Sequence, residues 1–373
     1  MKFINNIAYI GIIGMVMTSC SDLDPVISDR TLPDSQPFVR NADNYAYYRI
    51  PSMVITKHDI VLAFAEGRVD GREDNGNIDV VLRRSGDRGR TWQDLIVVFN
   101  DGTATCHNPC PIYIPDQNRV VMIMNKNYGD SRVYVSYSDN EGQTWTNPQE
   151  ITDDVRPANM TRFTQGPCHG IIKQKDPHKG RMIVSGYMRA SNNDPYYANS
   201  IYSDDNGVTW HYGGIVPSPN TNESTVCELS DGSLLMSIRM ETDELAESDR
   251  FRGHSISRDG GITWSEVEMV SSLPDCGCQG SLFTYSYGNG TNGKNVILFC
   301  NPAWQARRWH NTIRASFDDG ITWTKGIDFT GEEVGGYSDI ASFSDGEIAV
   351  LSEYGYLNEG GIIFRKYQLD DLK

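Results

Sequence analysis

The residues of this chain that could do chemistry fall into two groups. The first is its eight cysteines and seven histidines. Cys106/Cys110 and Cys276/Cys278 are close enough in sequence to suggest metal ligands. Neither pair has the Cys-x-x-Cys spacing of zinc sites, and no histidine pair lies nearby at ligand spacing, so buried free thiols or one bridge fit better. The second group is arginines and carboxylates set in short distinctive segments: Tyr48-Arg49-Ile50-Pro51, Glu66-Gly67-Arg68, Asn222-Glu223-Ser224 and Ser237-Ile238-Arg239. Guanidinium groups pair with carboxylates bidentately and keep their charge, so several of them brought together would hold an anion. Taken singly, an arginine in such a chain is an ordinary solvated residue. No Gly-rich phosphate loop, HExxH or GxSxG occurs to support other chemistry.

Something must bring these segments together, and the composition says what kind of fold. The 373 residues carry 33 Lys+Arg against 49 Asp+Glu, a net charge of −16, which argues against a nucleic-acid partner. Gly 35, Pro 16, Tyr 19 and Trp 7 favour many short strands joined by turns. An octamer, Ser-x-Asp-x-Gly-x-Thr-Trp, recurs at Ser85 to Trp92, Ser203 to Trp210, Ser257 to Trp264 and Ser316 to Trp323. A fifth copy, Ser138 to Trp145, has Asn140 in place of the Asp. In each, Ser and Asp can bond backbone N–H groups of a turn and Gly supplies a positive φ, while Thr and Trp lead into the next strand. Alternating runs such as Arg132-Val133-Tyr134-Val135-Ser136-Tyr137 flank the boxes. About 55 residues hold one four-stranded sheet, so five boxes plus a blade closed by the two chain ends predict an all-β, six-bladed β-propeller. The boxes themselves are structural.

These boxes, set around certain arginines, resemble the bacterial exo-sialidases (neuraminidases), over most of the chain from about Tyr47 to Glu353. The resemblance implies roles for particular residues. Tyr48-Arg49-Ile50-Pro51 matches the family's (F/Y)RIP motif, so Arg49 would be the first of three arginines gripping a substrate carboxylate. Arg68 would border the site and Asp74 would be the acid/base, with Asp70 and Arg72 as nearby rivals. Gly166-Pro167-Cys168-His169-Gly170 is close to another family segment. Glu223 would be the base partner of the nucleophile, with Glu228 its competitor, and Arg239 the second arginine. Arg308 would be the third, with Arg307 the alternate. Tyr337, in Gly336-Tyr337-Ser338-Asp339, would be the nucleophile, and Glu353 the carboxylate holding Arg49. Some relatives have Asp-Pro where this chain has Asn108-Pro109; Asn108 keeps a hydrogen-bonding group but not the charge.

The residue types suit the substrate that the resemblance implies. A sialic acid carries its carboxylate directly on the anomeric carbon, so an Asp or Glu nucleophile would meet a like charge. A neutral Tyr hydroxyl avoids that repulsion but, with a pKa of about 10, needs a carboxylate base. Sialidases with a Tyr nucleophile are a recognised exception to the two-carboxylate rule of glycosidases. A further carboxylic acid must protonate the leaving oxygen and later activate water. The expected activity is thus removal of terminal sialic acids from glycoconjugates with retention, and no metal or organic cofactor is required. Two other readings remain: a noncatalytic propeller that binds glycans, and an enzyme that transfers the sugar or releases an anhydro form of it.

The first twenty residues read as an export signal. Lys2 precedes an apolar stretch ending in Met17-Thr18-Ser19-Cys20, which resembles the lipobox of bacterial lipoproteins. Cys20 would then carry a lipid, giving an exported, membrane-anchored protein of a Gram-negative bacterium. The expected organisation is signal 1–20, tether 21–40 and catalytic propeller 41–373.

Overall fold

The computed structural model describes residues 35–243, 245–355 and 361–373. It is an all-β, six-bladed propeller. Blade one consists of Tyr47–Ile55, Val61–Arg68, Ile78–Ser85 and Ile96–Phe99. Blade two consists of Cys106–Ile114, Arg119–Lys126, Arg132–Ser138 and Gln149–Glu150. In blade three, Arg162–Gln165 and the short Ile171–Ile172 both pair with Met182–Arg189, followed by Tyr197–Ser203 and His211–Ile215. Blades four and five begin with Thr221–Glu228 and Ser281–Ser286. Blade six is Ser338–Ser342, Ile348–Tyr354 and Gly361–Tyr367, with Ser35–Val39 added as its outer strand. The two chain ends therefore close the ring within one sheet. Ser35–Val39 falls in the stretch expected to be a tether, so the propeller extends upstream of residue 41.

The packing explains why the inner strands are so apolar. Val61–Arg68 is buried along its whole length. Side chains alternate across a strand, and here each face meets a different neighbour. Leu62 and Phe64 pack with Val120 and Met122 of blade two, whereas Val61, Ala63 and Ala65 pack with Ala349, Leu351 and Phe364 of blade six. A one-residue slip would exchange the two interfaces.

The five boxes form the turns the octamers predict. In the first, Ser85 Oγ accepts from the Gly89 N–H at 2.8 Å, and Asp87 accepts from the N–H of Thr91 at 2.9 Å and its hydroxyl at 2.6 Å. These bonds hold the Asp87 carboxyl down at about 2. Asn140 serves equally well: its oxygen accepts from the Thr144 N–H at 2.9 Å, and its amide donates to the Thr144 hydroxyl at 2.8 Å. The box glycines are also contact points. Side-chain atoms at Gly89, Gly142, Gly207, Gly261 and Gly320 would press on Phe364, Leu82, Val121, Ile183 and Leu235 respectively. Each box thus folds onto the preceding blade. In four of the five, the Trp does not begin the outer strand but precedes it by four residues, as Trp92 precedes Ile96–Phe99. The loop between lets the indole tuck between blades.

Candidate active site

The innermost strands of the blades start around the propeller axis and supply Arg49, Asn108, Glu223 and Tyr337 there, while the ends of the second strands supply Arg68, Arg239 and Glu353. Tyr337 lies one residue ahead of Ser338–Ser342, and Glu223 lies at an irregularity of Thr221–Glu228. Both are buried. The Tyr337 hydroxyl is 2.7 Å from each oxygen of Glu223. Arg239, on Leu234–Met240, donates to Glu223 Oε2 at 2.7 Å and to the Tyr337 oxygen at 3.2 Å. Burial and then the Glu223 charge push the Tyr337 hydroxyl well above its ordinary range, against the pull of Arg239 and Arg308. The phenol is therefore neutral at rest, with its hydrogen bond already directed at a carboxylate.

Glu353 accepts from three groups at once. One oxygen accepts from Arg49 Nε at 3.1 Å and from the Ile50 N–H at 3.0 Å, and the other accepts from the Tyr337 N–H at 3.2 Å. Ile50 has φ 55, a left-handed conformation that a β-branched residue adopts only when its surroundings impose it. The Glu353 bond and the bulge between Arg49 and Ser52 impose it here. Turning the chain at Ile50 sets Arg49 on the cavity rim, with its guanidinium 5.3 Å from the Tyr337 ring centre. Gly336 makes room for this junction, because a Cβ there would overlap the Glu353 carboxylate. Gly336→Ala is expected to destabilise the protein by about 1–3 kcal/mol and to lower turnover more than a surface Gly→Ala change does. Urea unfolding and an activity assay on the same sample check both effects.

Asp74 projects from the loop after Val61–Arg68. It lies 3.0 Å from Arg49 Nη1 and 2.8 Å from Arg68 Nη1, and its side chain is about half exposed, at 55%. Burial raises its carboxyl, but Arg49 and Arg68 together outweigh that and hold it below the usual carboxylate range. Arg68 is itself buried and fixed by Glu66, at 2.6 Å, and by the Arg72 carbonyl. Glu66 also accepts the Asn108 N–H at 3.0 Å, which links blade one to blade two. Of the rivals, Asp70 is exposed and does not line the cavity, and the Arg72 side chain points to solvent beside Glu73. Glu228 lies at the far end of Glu223's strand, where it takes Lys173 Nζ at 2.7 Å. Arg307 stacks on Trp309, while Arg308 lines the cavity with its guanidinium 5.2 Å from the Tyr337 ring centre.

Arg49, Arg68, Asp74, Asn108, Glu223, Arg239, Arg308 and Tyr337 thus line one cavity of about 240 Å³, with Glu353 directly behind it. Residues 59–350 match the family model of the BNR repeat-like domain. The chain is 30% identical over 346 residues to a sialidase of Paraclostridium sordellii, an alignment covering 84% of this chain and 83% of that one. The chain belongs to the sialidase-like family with BNR repeats. A sialidase of Clostridium perfringens is 31% identical over 277 residues, covering 67% and 70% of the two chains. The same fold is seen in a solved Hadza microbial sialidase, with TM-score 0.80 and 24% identity over 91% of this chain and 69% of that one. A leech intramolecular trans-sialidase also shares it, with TM-score 0.75 and 17% identity over 92% and 71%.

This sialidase-family cavity also contains groups whose roles no motif of the sequence marks. Glu66 sits in the Glu66-Gly67-Arg68 segment, yet its role as a brace appears only when Arg68 and Asn108 converge on it. His107 precedes Asn108 on the wall, and burial lowers its imidazole to about 4, so it stays neutral at working pH. Arg162, Tyr128, Tyr187 and Tyr196 form the wall on blades two and three. No spacing or motif marks them. The cysteines are free thiols: of the seven described, six are buried and Cys276 is partly so, and Cys20 lies outside the described residues. Among them, the Cys168 thiol donates to Asp339 at 2.8 Å and His169 Nδ1 lies 2.5 Å from the same carboxylate. Asp339 also takes the Met53 N–H at 2.8 Å, so this cluster pins blades one, three and six beneath the cavity.

Proposed function

We propose that this protein is an exo-α-sialidase that hydrolyses terminal sialic acids from glycoconjugates with retention. The observation that carries the reading is the Tyr337–Glu223 hydrogen bond lying inside a cluster of arginines. A noncatalytic glycan-binding propeller has no use for a buried phenol paired with a carboxylate.

The substrate carboxylate is held by Arg49, Arg239 and Arg308, which places the anomeric carbon over Tyr337. Glu223 takes the phenolic proton while the Tyr337 oxygen bonds to that carbon and the glycosidic C–O bond breaks. Asp74 gives its proton to the leaving oxygen. Asp74 then takes a proton from water, whose oxygen attacks the same carbon as the tyrosyl bond breaks, and Tyr337 recovers its proton from Glu223. Two inversions give retention. The free protein holds Asp74 ionised between Arg49 and Arg68. A substrate carboxylate on Arg49 weakens that hold and adds a nearby negative charge, so both changes raise the Asp74 pKa toward its work as an acid.

Release of a chromogenic group from an α-sialoside tests the proposal; free sialic acid as the product supports it, and an inert protein or an anhydro product opposes it. Asp74→Asn is expected to slow poor leaving groups most, since an aryl oxygen of low pKa needs little protonation. Equal losses on aryl and alkyl sialosides would remove the acid role from Asp74.

We also propose export of the protein with a lipid on Cys20. Among the described residues no helix is long and apolar enough to cross a membrane. Metabolic labelling with a fatty acid, lost in Cys20→Ala, checks the anchor.

A further inference from the structure

Among the described cysteines only Cys276 reaches the surface, and the catalytic scheme does not use it. It stands in Asp275-Cys276-Gly277-Cys278, the turn that leads into the inner strand of blade five. That turn is held from within. Asp275 Oδ1 accepts the N–H groups of Gly277 and Cys278, both at 2.9 Å, and the other Asp275 oxygen takes Arg252 Nη1 at 2.6 Å. The same Arg252 nitrogen donates to the Cys278 carbonyl. Asp275 and Arg252 are both buried, so the loop is fixed by charge-assisted bonds out of reach of water. Gly277 has φ 78, a left-handed conformation that a residue without Cβ adopts freely.

The turn brings two thiols together behind the nucleophile. Residues two apart span about 7 Å when the chain is fully extended, and a bend at Gly277 brings them within the range a disulfide bridges. Cys276 packs on the cluster of Cys278, Ile50 and Tyr337. Its S–H donates to the Cys278 sulfur. Burial raises the Cys278 thiol, but that bond, Arg308 and Arg239 together outweigh burial and hold it below the ordinary thiol range. The same bond, with burial, pushes Cys276 up. The pair therefore shares one proton between a reachable sulfur in front and a buried sulfur behind, which faces two of the site's guanidiniums.

We propose that Cys276 and Cys278 form a reactive dithiol that small organic disulfides convert to an intrachain disulfide, and that this bond slows the enzyme by drawing the Cys278 sulfur away from Tyr337 and Arg308. The effect on turnover rests on the sialidase reading above; the disulfide itself does not. The Cys276 sulfur attacks one sulfur of the reagent, its proton passes to the Cys278 sulfur, and a thiolate leaves. The Cys278 sulfur then attacks the Cys276 sulfur, and the second half of the reagent leaves with the proton as a thiol. The two cysteines are oxidised and the reagent is reduced to one thiolate and one thiol. Export, as proposed above, places the pair where disulfides persist. The other described cysteines are buried and escape the reagent. Cys278 packs against Tyr337, so moving its sulfur disturbs the nucleophile. A misplacement of about 1 Å at a reacting group can cost about a hundredfold in rate.

The test treats the purified protein with oxidised glutathione, alkylates the remaining thiols in denaturant and maps the peptides by mass spectrometry. The expected product is lighter than the untreated chain by two hydrogen atoms, with Cys276 joined to Cys278 and the other thiols alkylated. Its kcat/KM on an aryl α-sialoside is expected to fall about tenfold or more, and dithiothreitol should restore it. Cys276→Ser is expected to keep its basal turnover and to hold it through the same treatment. Alkylation of both Cys276 and Cys278 after treatment overturns the proposal, as does a glutathione that stays on Cys276. A Cys276–Cys278 disulfide that leaves kcat/KM unchanged overturns it too, as does a Cys276→Ser variant that loses activity as the wild type does. An untreated protein that cleaves no sialoside overturns the sialidase reading and the effect on turnover with it, while the peptide map still decides the disulfide.

Discussion

Tyr337→Phe is expected to fold normally and to lose more than about a thousandfold in kcat on natural sialosides, the scale seen when a covalent nucleophile is removed. The substitution deletes one oxygen. The ring stays between the guanidiniums of Arg49 and Arg308, and the Tyr337 N–H still donates to Glu353. What is lost is the hydroxyl that meets both oxygens of Glu223 at 2.7 Å. Glu223 retains Arg239 as a partner at 2.7 Å, so the buried carboxylate is not stranded. Affinity for a sialic-acid analogue should therefore change far less than turnover. Full activity in the Phe variant would remove Tyr337 from the chemistry.

Arg308→Ala should weaken binding of a sialic-acid analogue by roughly tenfold to over a hundredfold, from charge-assisted hydrogen bonds of about 1.5–3 kcal/mol each. Arg308 is the informative member of the three arginines. Arg49 is tied to Glu353 and Asp74, and Arg239 to Glu223, whereas Arg308 forms no ion pair among the described residues. Removing it leaves no buried carboxylate without a partner, so the loss reports on the ligand. Arg308→Lys keeps the charge but not the fork, and should recover only part. The protein's charge of −16 opposes encounter with an anionic substrate, so wild-type kcat/KM should fall little, or rise, between low and physiological salt. Titration calorimetry on the variants checks the first effect and a salt series checks the second. Unchanged affinity in Arg308→Ala would move the role to Arg307.

The fold could be read from five octamers because a tight turn demands specific residue types: an Asp or Asn oxygen for two donors, a Ser hydroxyl, and a Gly for both positive φ and close approach. Blade six has no such octamer. Its Gly346 instead packs under Tyr285, whose hydroxyl donates to the Gly346 carbonyl at 2.8 Å, a contact without a repeat to reveal it. Its outer strand, Ser35–Val39, is short and comes from the distant chain end, so no local repeat marks where the propeller starts.

The site divides in the same way. Arg49 and Tyr337 could be found because they stand in the short segments Tyr48-Arg49-Ile50-Pro51 and Gly336-Tyr337-Ser338-Asp339 that carry the family resemblance, and Gly336 is also needed there for space. Two adjacent arginines, 307 and 308, cannot be told apart by type; only the direction of each side chain separates them. Arg162 and its tyrosines occupy positions where local structure tolerates many residues, so their convergence is a property of the ring and not of any segment.

In the proposed reaction the Tyr337 oxygen bonds to the anomeric carbon. Incubation with a fluorinated sialic acid bearing a good leaving group, followed by peptide mass spectrometry, tests it most directly. The fluorine slows breakdown of the intermediate more than its formation, so the sugar should be found on the peptide containing Tyr337, at that residue, in about one copy per chain. A label on Glu223 or any other residue would contradict the claim, as would active protein that turns over the reagent without ever carrying a label.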